Sequence, residues 1–335
     1  MSKLLSRKVL VPTLIIIGAL VILNLLPIPG VIIPEISIAA EPVFDLFGFT
    51  ITNTLLSSWF TMLVLILGTW AITRKRKEIP GRWQGALEMV VEALYNLIEG
   101  AAGSKLASKF FPIVATLFLF IITSNWLGLT PLYGGWGPLH HSEHGHPVKW
   151  LNDSETMGIW VEEEEDSHGE GAHGGHEEPY VVIPMFRAPT TDLNVTIALA
   201  LVAVFMTQYF GVQALGIGYF GKFIAVGGVI KAFTKKGLGC AGRIGAFGMG
   251  LIDIFIGVVE MISEVAKVVS FSFRLFGNIF AGEVLLGVMA FLIPYIISLP
   301  FYGLEIFVGF VQALVFMMLA VAFFLVATTS HGEEH

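Results

Sequence analysis

Long apolar segments, separated by polar connections, dominate the chain. A membrane-spanning helix requires roughly 18 or more consecutive residues that are mostly apolar and carry few charges. One such segment alone could be a signal sequence, but several cannot. Four of them lie around Leu55 to Thr73, Phe110 to Leu132, Leu193 to Gly216 and Phe301 to Thr329. The pattern therefore predicts a protein that crosses the bilayer several times.

A fifth apolar segment, from Leu251 to Ile293, is longer than one membrane crossing needs. It contains no proline, and as one helix it would extend on the order of 60 Å at ~1.5 Å per residue. That length is about twice the hydrocarbon thickness of a bilayer. We expect this segment to be broken, strongly tilted, or partly parallel to the membrane plane. It forms a hairpin with the last apolar segment.

The stretch from Pro80 to Gly100 has a different pattern. Apolar residues recur there at helical spacing, opposite Gln84, Glu88 and Glu92, which is typical of an amphipathic helix. Pro80 suits the first helical position, and Gly100 suits the end. The helix lies either on the cytoplasmic membrane interface or against another subunit.

Composition supports the membrane assignment. The chain is 55% hydrophobic and 13% charged, with a mean hydropathy of +0.78, whereas soluble domains have about 25% charged residues. The expected fold class is an all-α polytopic membrane protein with five or six membrane segments, an interfacial amphipathic helix and a long tilted C-terminal helical hairpin. The number depends on residues 1–40, which form a signal anchor or a cleaved signal peptide because basic residues precede an apolar run. Residues 41–335 form a single membrane channel domain.

Positive charges in the connections indicate the orientation, since Lys and Arg concentrate in short cytoplasmic loops. Basic clusters follow Thr73 and Gly216, so both of these connections should be cytoplasmic. The intervening loop, residues 134–188, contains only Lys149 and Arg187 against a run of acids, so it should lie outside. Consequently we expect a multi-pass protein of a bacterial cell membrane with a cytoplasmic C-terminus.

Ionisable residues within the C-terminal hairpin are the main candidates for chemistry, because charges in a membrane segment are costly and need a partner or water. From Ile244 onward the only basic residues are Lys267 and Arg274. Polar side chains at helical spacing form two stripes, a longer one on the segment that contains Arg274 and a shorter one formed by Glu305 and Gln312. Such stripes are typical of aqueous access routes. For Lys267, a structural ion pair with Glu264 or Glu260 is as good an interpretation as a role in transport. The first stripe comprises Glu260, Lys267, Ser270, Arg274 and Asn278, while Glu283 points to the other side.

Several strings in this region resemble a known family. Ser270-Phe-Ser-Phe-Arg274-Leu-Phe-Gly-Asn278-Ile-Phe-Ala-Gly-Glu283 is similar to the signature of subunit a of F-type ATP synthases. Pro189-Thr-Thr-Asp192-Leu-Asn194-Val-Thr196 and Gln312-Ala-Leu-Val-Phe resemble two further motifs of that family in the same order. Asn125, in Ser-Asn-Trp-Leu-Gly-Leu-Thr-Pro, fits a fourth. The resemblance runs from about Leu55 to Thr329.

The resemblance implies a mechanism and partners. The partners would be a ring of c subunits, b-type peripheral stalk subunits and membrane lipid, and the translocated ion would be H⁺, with Na⁺ as the less favoured ion. Ring carboxylates would pass Arg274 between two offset half-channels. The residues implied in proton transfer are Arg274, Glu283, Glu305, Asn278, Gln312, Glu260, Ser270, Asp192 and Asn194, with Glu260 and Ser270 near the cytoplasmic exit.

Other function classes have less support. The chain lacks a Walker-type glycine loop, so we expect a non-catalytic subunit without a cofactor. Nothing favours nucleic-acid binding. A self-contained proton or ion transporter is the alternative, but it predicts internal repeats, and the Arg274 string occurs once. The outer loop is rich in His and acids, including His140, His144 and the run Glu162 to Asp166, so it could bind metal, buffer protons, or be a solvated loop.

Overall fold

The computed structural model describes residues 38–46, 48–74, 77–133, 137, 139–150, 158–160, 179–182, 184–223, 240–292 and 298–329. The elements in chain order are β1 (Pro42–Leu46), β2 (Phe49–Thr52), α1 (Asn53–Thr73), α2 (Arg82–Ala102), α3 (Ser104–Gly128), β3 (Leu139–Trp150), β4 (Gly158–Trp160), β5 (Pro179–Val182), a 3₁₀ turn (Pro189–Thr191), α4 (Leu193–Leu215), a 3₁₀ segment (Gly216–Lys222), α5 (Cys240–Leu292) and α6 (Ser298–Thr328).

Five of the described helices are long and apolar enough to cross a membrane: α1, α3, α4, α6 and the Gly248–Leu292 part of α5. The prediction of an all-α polytopic membrane protein is confirmed. The additional segment expected between Val9 and Leu26 lies outside the described residues, as do most of the Gly-rich connection after Gly216 and the last six residues.

Local chemistry explains the ends of two helices. The hydroxyl oxygen of Thr52 accepts a hydrogen bond from the backbone N–H of Leu55 at 3.4 Å, which satisfies one of the unpaired donors at the start of α1. Helix α2 ends where Gly103 takes a φ of 75° and its N–H donates to the Glu99 carbonyl. A left-handed residue at this position is usually glycine, because it has no Cβ to clash.

The amphipathic helix predicted between Pro80 and Gly100 is present as α2. Leu94 and Ile98 are buried on one side, while Trp83 and Met89 are largely exposed. An apolar side chain that the rest of the chain leaves uncovered can lie against lipid or another subunit. Both interpretations of this helix therefore stay open.

The long C-terminal segment is one unbroken helix. The membrane-compatible part of α5 contains 45 residues, which corresponds to ~68 Å at 1.5 Å per residue. Because the hydrocarbon layer is about 30 Å thick, a continuous helix of this length cannot cross it upright. The expectation that this segment is broken is therefore wrong. Its length requires one of the other two expected arrangements, a strong tilt or a course partly along the membrane plane.

The outer loop contains strands that the sequence pattern does not predict. β3 pairs antiparallel with β4 and with β5, and β1 pairs with β2 in a separate hairpin. The polar composition of β3 lacks the alternation that reveals a half-buried strand. Backbone N–H and C=O groups nevertheless need partners, and an antiparallel ladder supplies them.

Contacts divide the chain into two compact units. The first unit contains residues up to 60, residues 124–192 and residues 279–309. Its packing includes the ring of Phe186, whose centroid lies 5.4 Å from that of Phe60 and 5.7 Å from that of Tyr133. The buried start of α1 is polar, and the Asn53 side-chain amide donates to the Pro184 carbonyl at 3.3 Å.

The second unit contains residues 61–123, 193–278 and 310–335. Its core includes three mutually packed aromatic rings, Phe110, Phe210 and Phe324, with centroid separations of 4.9, 5.0 and 5.4 Å. Side chains from α3, α4 and α6 therefore meet in this core. Phe271 of α5 packs on Phe316 of α6 with ring centroids 4.7 Å apart. This contact holds the two helices together about one helical turn before Arg274.

Candidate functional site

Arg274 lies on an exposed part of α5 in the second unit. Its Nη2 donates to the Ser270 hydroxyl at 3.4 Å, one helical turn earlier. Among the residues that the structure describes, no carboxylate pairs with Arg274. A permanently charged side chain at such a position requires a partner or water. The geometry therefore leaves the guanidinium available to a group from another chain.

A recess of about 310 Å³ adjoins Arg274. Its lining combines polar side chains from α5, namely Ser263, Lys267 and Ser270, with apolar ones such as Phe323 of α6. Hydroxyl and ammonium groups along an apolar wall can hold water molecules in a membrane segment. The recess can therefore solvate the side of α5 that carries Arg274.

A second recess, of about 410 Å³, has Glu260, Glu264 and Tyr219 in its lining. Lys267 and Phe323 line both recesses, so the two adjoin. Lys267 forms an ion pair with Glu264 at 2.8 Å, and its Nζ lies 5.1 Å from the Phe323 ring centroid. The ion-pair interpretation of Lys267 is thus confirmed for Glu264, at the place where the two recesses meet.

Asn278 and Gln312 form a direct contact between α5 and α6 in the second unit. The Asn278 amide donates to the Gln312 Oε1 at 2.7 Å. Gln312 is buried, and its Nε2 has no acceptor among the described residues. A buried donor without an acceptor is costly unless water or another group satisfies it.

Glu283 of the first unit lies in an ion pair that the sequence analysis did not anticipate. The Nε of Arg187 donates to Oε1 at 3.1 Å, and Nη2 donates to Oε2 at 3.1 Å. Such a two-point contact fixes the carboxylate more strictly than an ammonium could. In the sequence, Arg187 was noticeable only as the one arginine in an acidic loop.

Glu305 is buried in α6, where its carboxyl group packs against the backbone of Gly282 in the first unit. A Cβ at position 282 would overlap that carboxyl group. Helix α5 therefore presents a gap in its side-chain surface where Glu305 fits. Glu283 directly follows Gly282 in the chain.

The motif that contains Asp192 and Asn194 is divided between the two units, with Asp192 in the first and Asn194 in the second. Asp192 is buried and accepts a hydrogen bond from the Thr54 hydroxyl at 2.7 Å. Asn194 lies on an exposed part of α4 in the second unit. Asp192 thus joins the 3₁₀ turn to the start of α1.

A buried polar network around Asn125 is a further feature of the first unit. The Asn125 amide donates to the Gly309 carbonyl at 3.1 Å, and its Oδ1 accepts from the Thr190 hydroxyl at 2.7 Å. Asn125 belongs to one of the sequence motifs described above. Gly309 is 184 residues away, so no local sequence pattern could indicate this contact.

For metal binding, the described residues contain no group of three or more His, Cys, Asp or Glu that could hold an ion. The side chains of the outer-loop histidines lie outside the description. The roles considered for that loop therefore stay predictions.

An all-α membrane protein with paired and buried ionisable groups in its spans belongs to the broad class of membrane transport proteins and their subunits. A family model described as the ATP synthase A chain matches residues 55–325, so the chain belongs to that family. A relative named ATP synthase subunit a, from Desulforamulus reducens, is 27% identical over 302 residues, which cover 87% of this chain and 86% of the relative. The chain is accordingly a multi-pass component of the membrane sector of an F-type ATP synthase.

Proposed function

We propose that this chain is the proton-translocating stator subunit of the rotary motor and provides two offset half-channels to a ring of c subunits. The observation that carries the proposal is the exposed Arg274, which has no carboxylate partner among the described residues and adjoins a polar recess. A charge of this kind is costly in a membrane unless a neighbouring chain or water compensates it. A moving row of ring carboxylates would compensate it.

The physics of a guanidinium suits this role. Arg stays protonated where a buried Lys could lose its charge, so it maintains a fixed positive field. That field favours an approaching ring carboxylate in its ionised form, which releases the proton to one half-channel before the carboxylate passes Arg274. The same charge opposes direct proton leakage between the half-channels. One charge crossing 100 mV contributes roughly 2.3 kcal/mol to the rotation.

The cytoplasmic half-channel would follow the two adjoining recesses. Glu260 lines one recess and Ser270 the other, beside Arg274. Lys267 and Glu264 stand at the junction and hold charges of opposite sign in contact. This arrangement supports a water-accessible path from Glu260 to Arg274. It agrees with the positive-inside orientation, which assigns the C-terminus to the cytoplasm of a bacterial cell.

The outer half-channel would use the remaining polar residues of the hairpin and of the start of α4. Within the first unit, Glu283 and the buried Glu305 are the carboxylates of the described part of the hairpin, and Asp192 is another buried carboxylate. Asn278 and Gln312 supply amide groups in contact, and Asn194 adds another on α4. Carboxylates can take up and release protons, and amide groups can orient the water molecules beside them.

In this proposal the chain catalyses no ATP chemistry, which belongs to other subunits of the complex. Its partners are the c ring, b-type stalk subunits and lipid, and the favoured ion is H⁺. Residues 1–40 act as a signal anchor or are removed, and residues 41–335 form the channel domain with its outer loop at 134–188.

Reconstitution tests the proposal against a self-contained transporter. The purified chain in liposomes under an imposed membrane potential should conduct no protons alone, and it should conduct them when the c ring is added. Proton conduction by the chain alone would favour the transporter. A matched sample with ring alone supplies the background rate.

A further inference from the structure

The Arg187–Glu283 ion pair is asymmetric in its burial. The side chain of Arg187 is 7% exposed, whereas that of Glu283 is 40% exposed. The attraction within an ion pair strengthens as water is removed, but each buried charge also loses its hydration. Here the cation is enclosed, and one part of the carboxylate stays accessible.

Arg187 is also held at several points. Its backbone N–H donates to the Ser57 hydroxyl at 3.0 Å, and its Nη1 donates to the Ala39 carbonyl at 3.3 Å. The guanidinium carbon lies 6.0 Å from the ring centroid of Phe280, which precedes Glu283 by about one helical turn. The guanidinium is therefore the fixed member of the pair, and the carboxylate is aligned to it.

From this geometry we infer that Arg187 is a positioning residue for proton transfer, which holds the Glu283 carboxylate so that its exposed side accepts and releases protons. The inference rests on the proposed function. The fork of Nε and Nη2 fits a carboxylate in one plane and orientation, as an ammonium does not. Without Arg187, Glu283 would keep its chemistry but lose this fixed orientation.

The test uses the complete complex in inverted membrane vesicles. Passive proton flux after removal of the catalytic sector is divided by the amount of assembled complex, measured by immunoblot. The variants are Arg187→Gln, Arg187→Lys, Glu283→Gln and the combination of Arg187→Gln with Glu283→Gln. Arg82→Gln, at the exposed start of α2, is the control for loss of one positive charge and should retain the normal flux.

We expect Arg187→Gln to reduce the flux per complex about tenfold, because a charge-assisted two-point contact is lost. Arg187→Lys should retain about threefold more flux than Arg187→Gln, since the charge remains but the fork does not. In the Glu283→Gln background, Arg187→Gln should add less than about a twofold loss, because a residue that acts through Glu283 has nothing left to position.

An independent tenfold loss in the Glu283→Gln background would overturn the inference, since Arg187 would then act on structure or elsewhere. If Arg187→Gln fails to assemble, Arg187→Lys decides in the same way: its loss must vanish in the Glu283→Gln background. Normal passive flux in Arg187→Gln, with ATP-driven acidification abolished by Arg274→Ala, would overturn this inference alone. ATP-driven acidification retained in Arg274→Ala would instead overturn the proposed function.

Discussion

Replacing Gly282 with alanine tests how closely α5 fits Glu305. An ideal Cβ at this position would overlap the carboxyl carbon and both carboxyl oxygens of Glu305. Overpacking of this kind typically costs about 1–3 kcal/mol. Because the overlapping atoms are the end of a flexible side chain, we expect Glu305 to move rather than the helix. Its native position would then be occupied about 5- to 160-fold less often.

The assay is passive proton flux per assembled complex in inverted vesicles. If Glu305 transfers protons from its native position, Gly282→Ala should slow the flux within that range, while assembly changes less. Alanine favours a helix by about 0.5–1 kcal/mol over glycine, which offsets part of the strain. Gly303→Ala is the matched control, because a Cβ there meets no atom within 4 Å.

A compensating change adds a second criterion. Glu305→Asp retracts the carboxyl group by one methylene, so the combination of Gly282→Ala with Glu305→Asp should conduct better than Gly282→Ala alone. If Gly282→Ala conducts as well as Gly303→Ala, the packed position of Glu305 has no part in proton transfer and the reasoning is refuted.

Two further predictions concern structure and the outer loop. Asn125→Ala should lower the thermal stability of the assembled complex, because it leaves the buried Thr190 hydroxyl without the acceptor that Asn125 provides, at about 1–3 kcal/mol, and removes the side-chain hydrogen bond to the Gly309 carbonyl; an unchanged melting temperature would contradict it. Deletion of residues 140–178 should leave ATP-driven proton pumping largely intact, because that segment contains no residue of the proposed half-channels; an assembled complex that does not pump would show that the loop takes part.

The helices could be predicted from the sequence because their signals are local. Apolar length marks α1, α3, α4 and α6, and periodicity marks α2. The same local pattern placed Arg274 and Ser270 on one face of a helix, and they form a hydrogen bond across one turn. Neither inference requires knowledge of distant residues.

The long-range polar contacts could not be predicted in this way. Arg187 and Glu283 are 96 residues apart, and helical or strand periodicity relates only positions that are close in the sequence. In the sequence, Arg187 counted only as one of two basic residues in an acidic loop, whereas packing against Ala39, Ser57 and Glu283 buries it. The strand β3 was missed for a related reason, since its partners lie in β4 and β5 and its own residues do not alternate.

Pumping by Arg274→Ala tests the central claim most directly. ATP-driven acidification of inverted vesicles is measured at an amount of assembled complex equal to that of the unaltered enzyme, with Arg82→Gln as the control. The account predicts that Arg274→Ala abolishes acidification, because Lys267, the other Lys or Arg after Ile244, already pairs with Glu264. Acidification at a substantial fraction of the normal rate would contradict it.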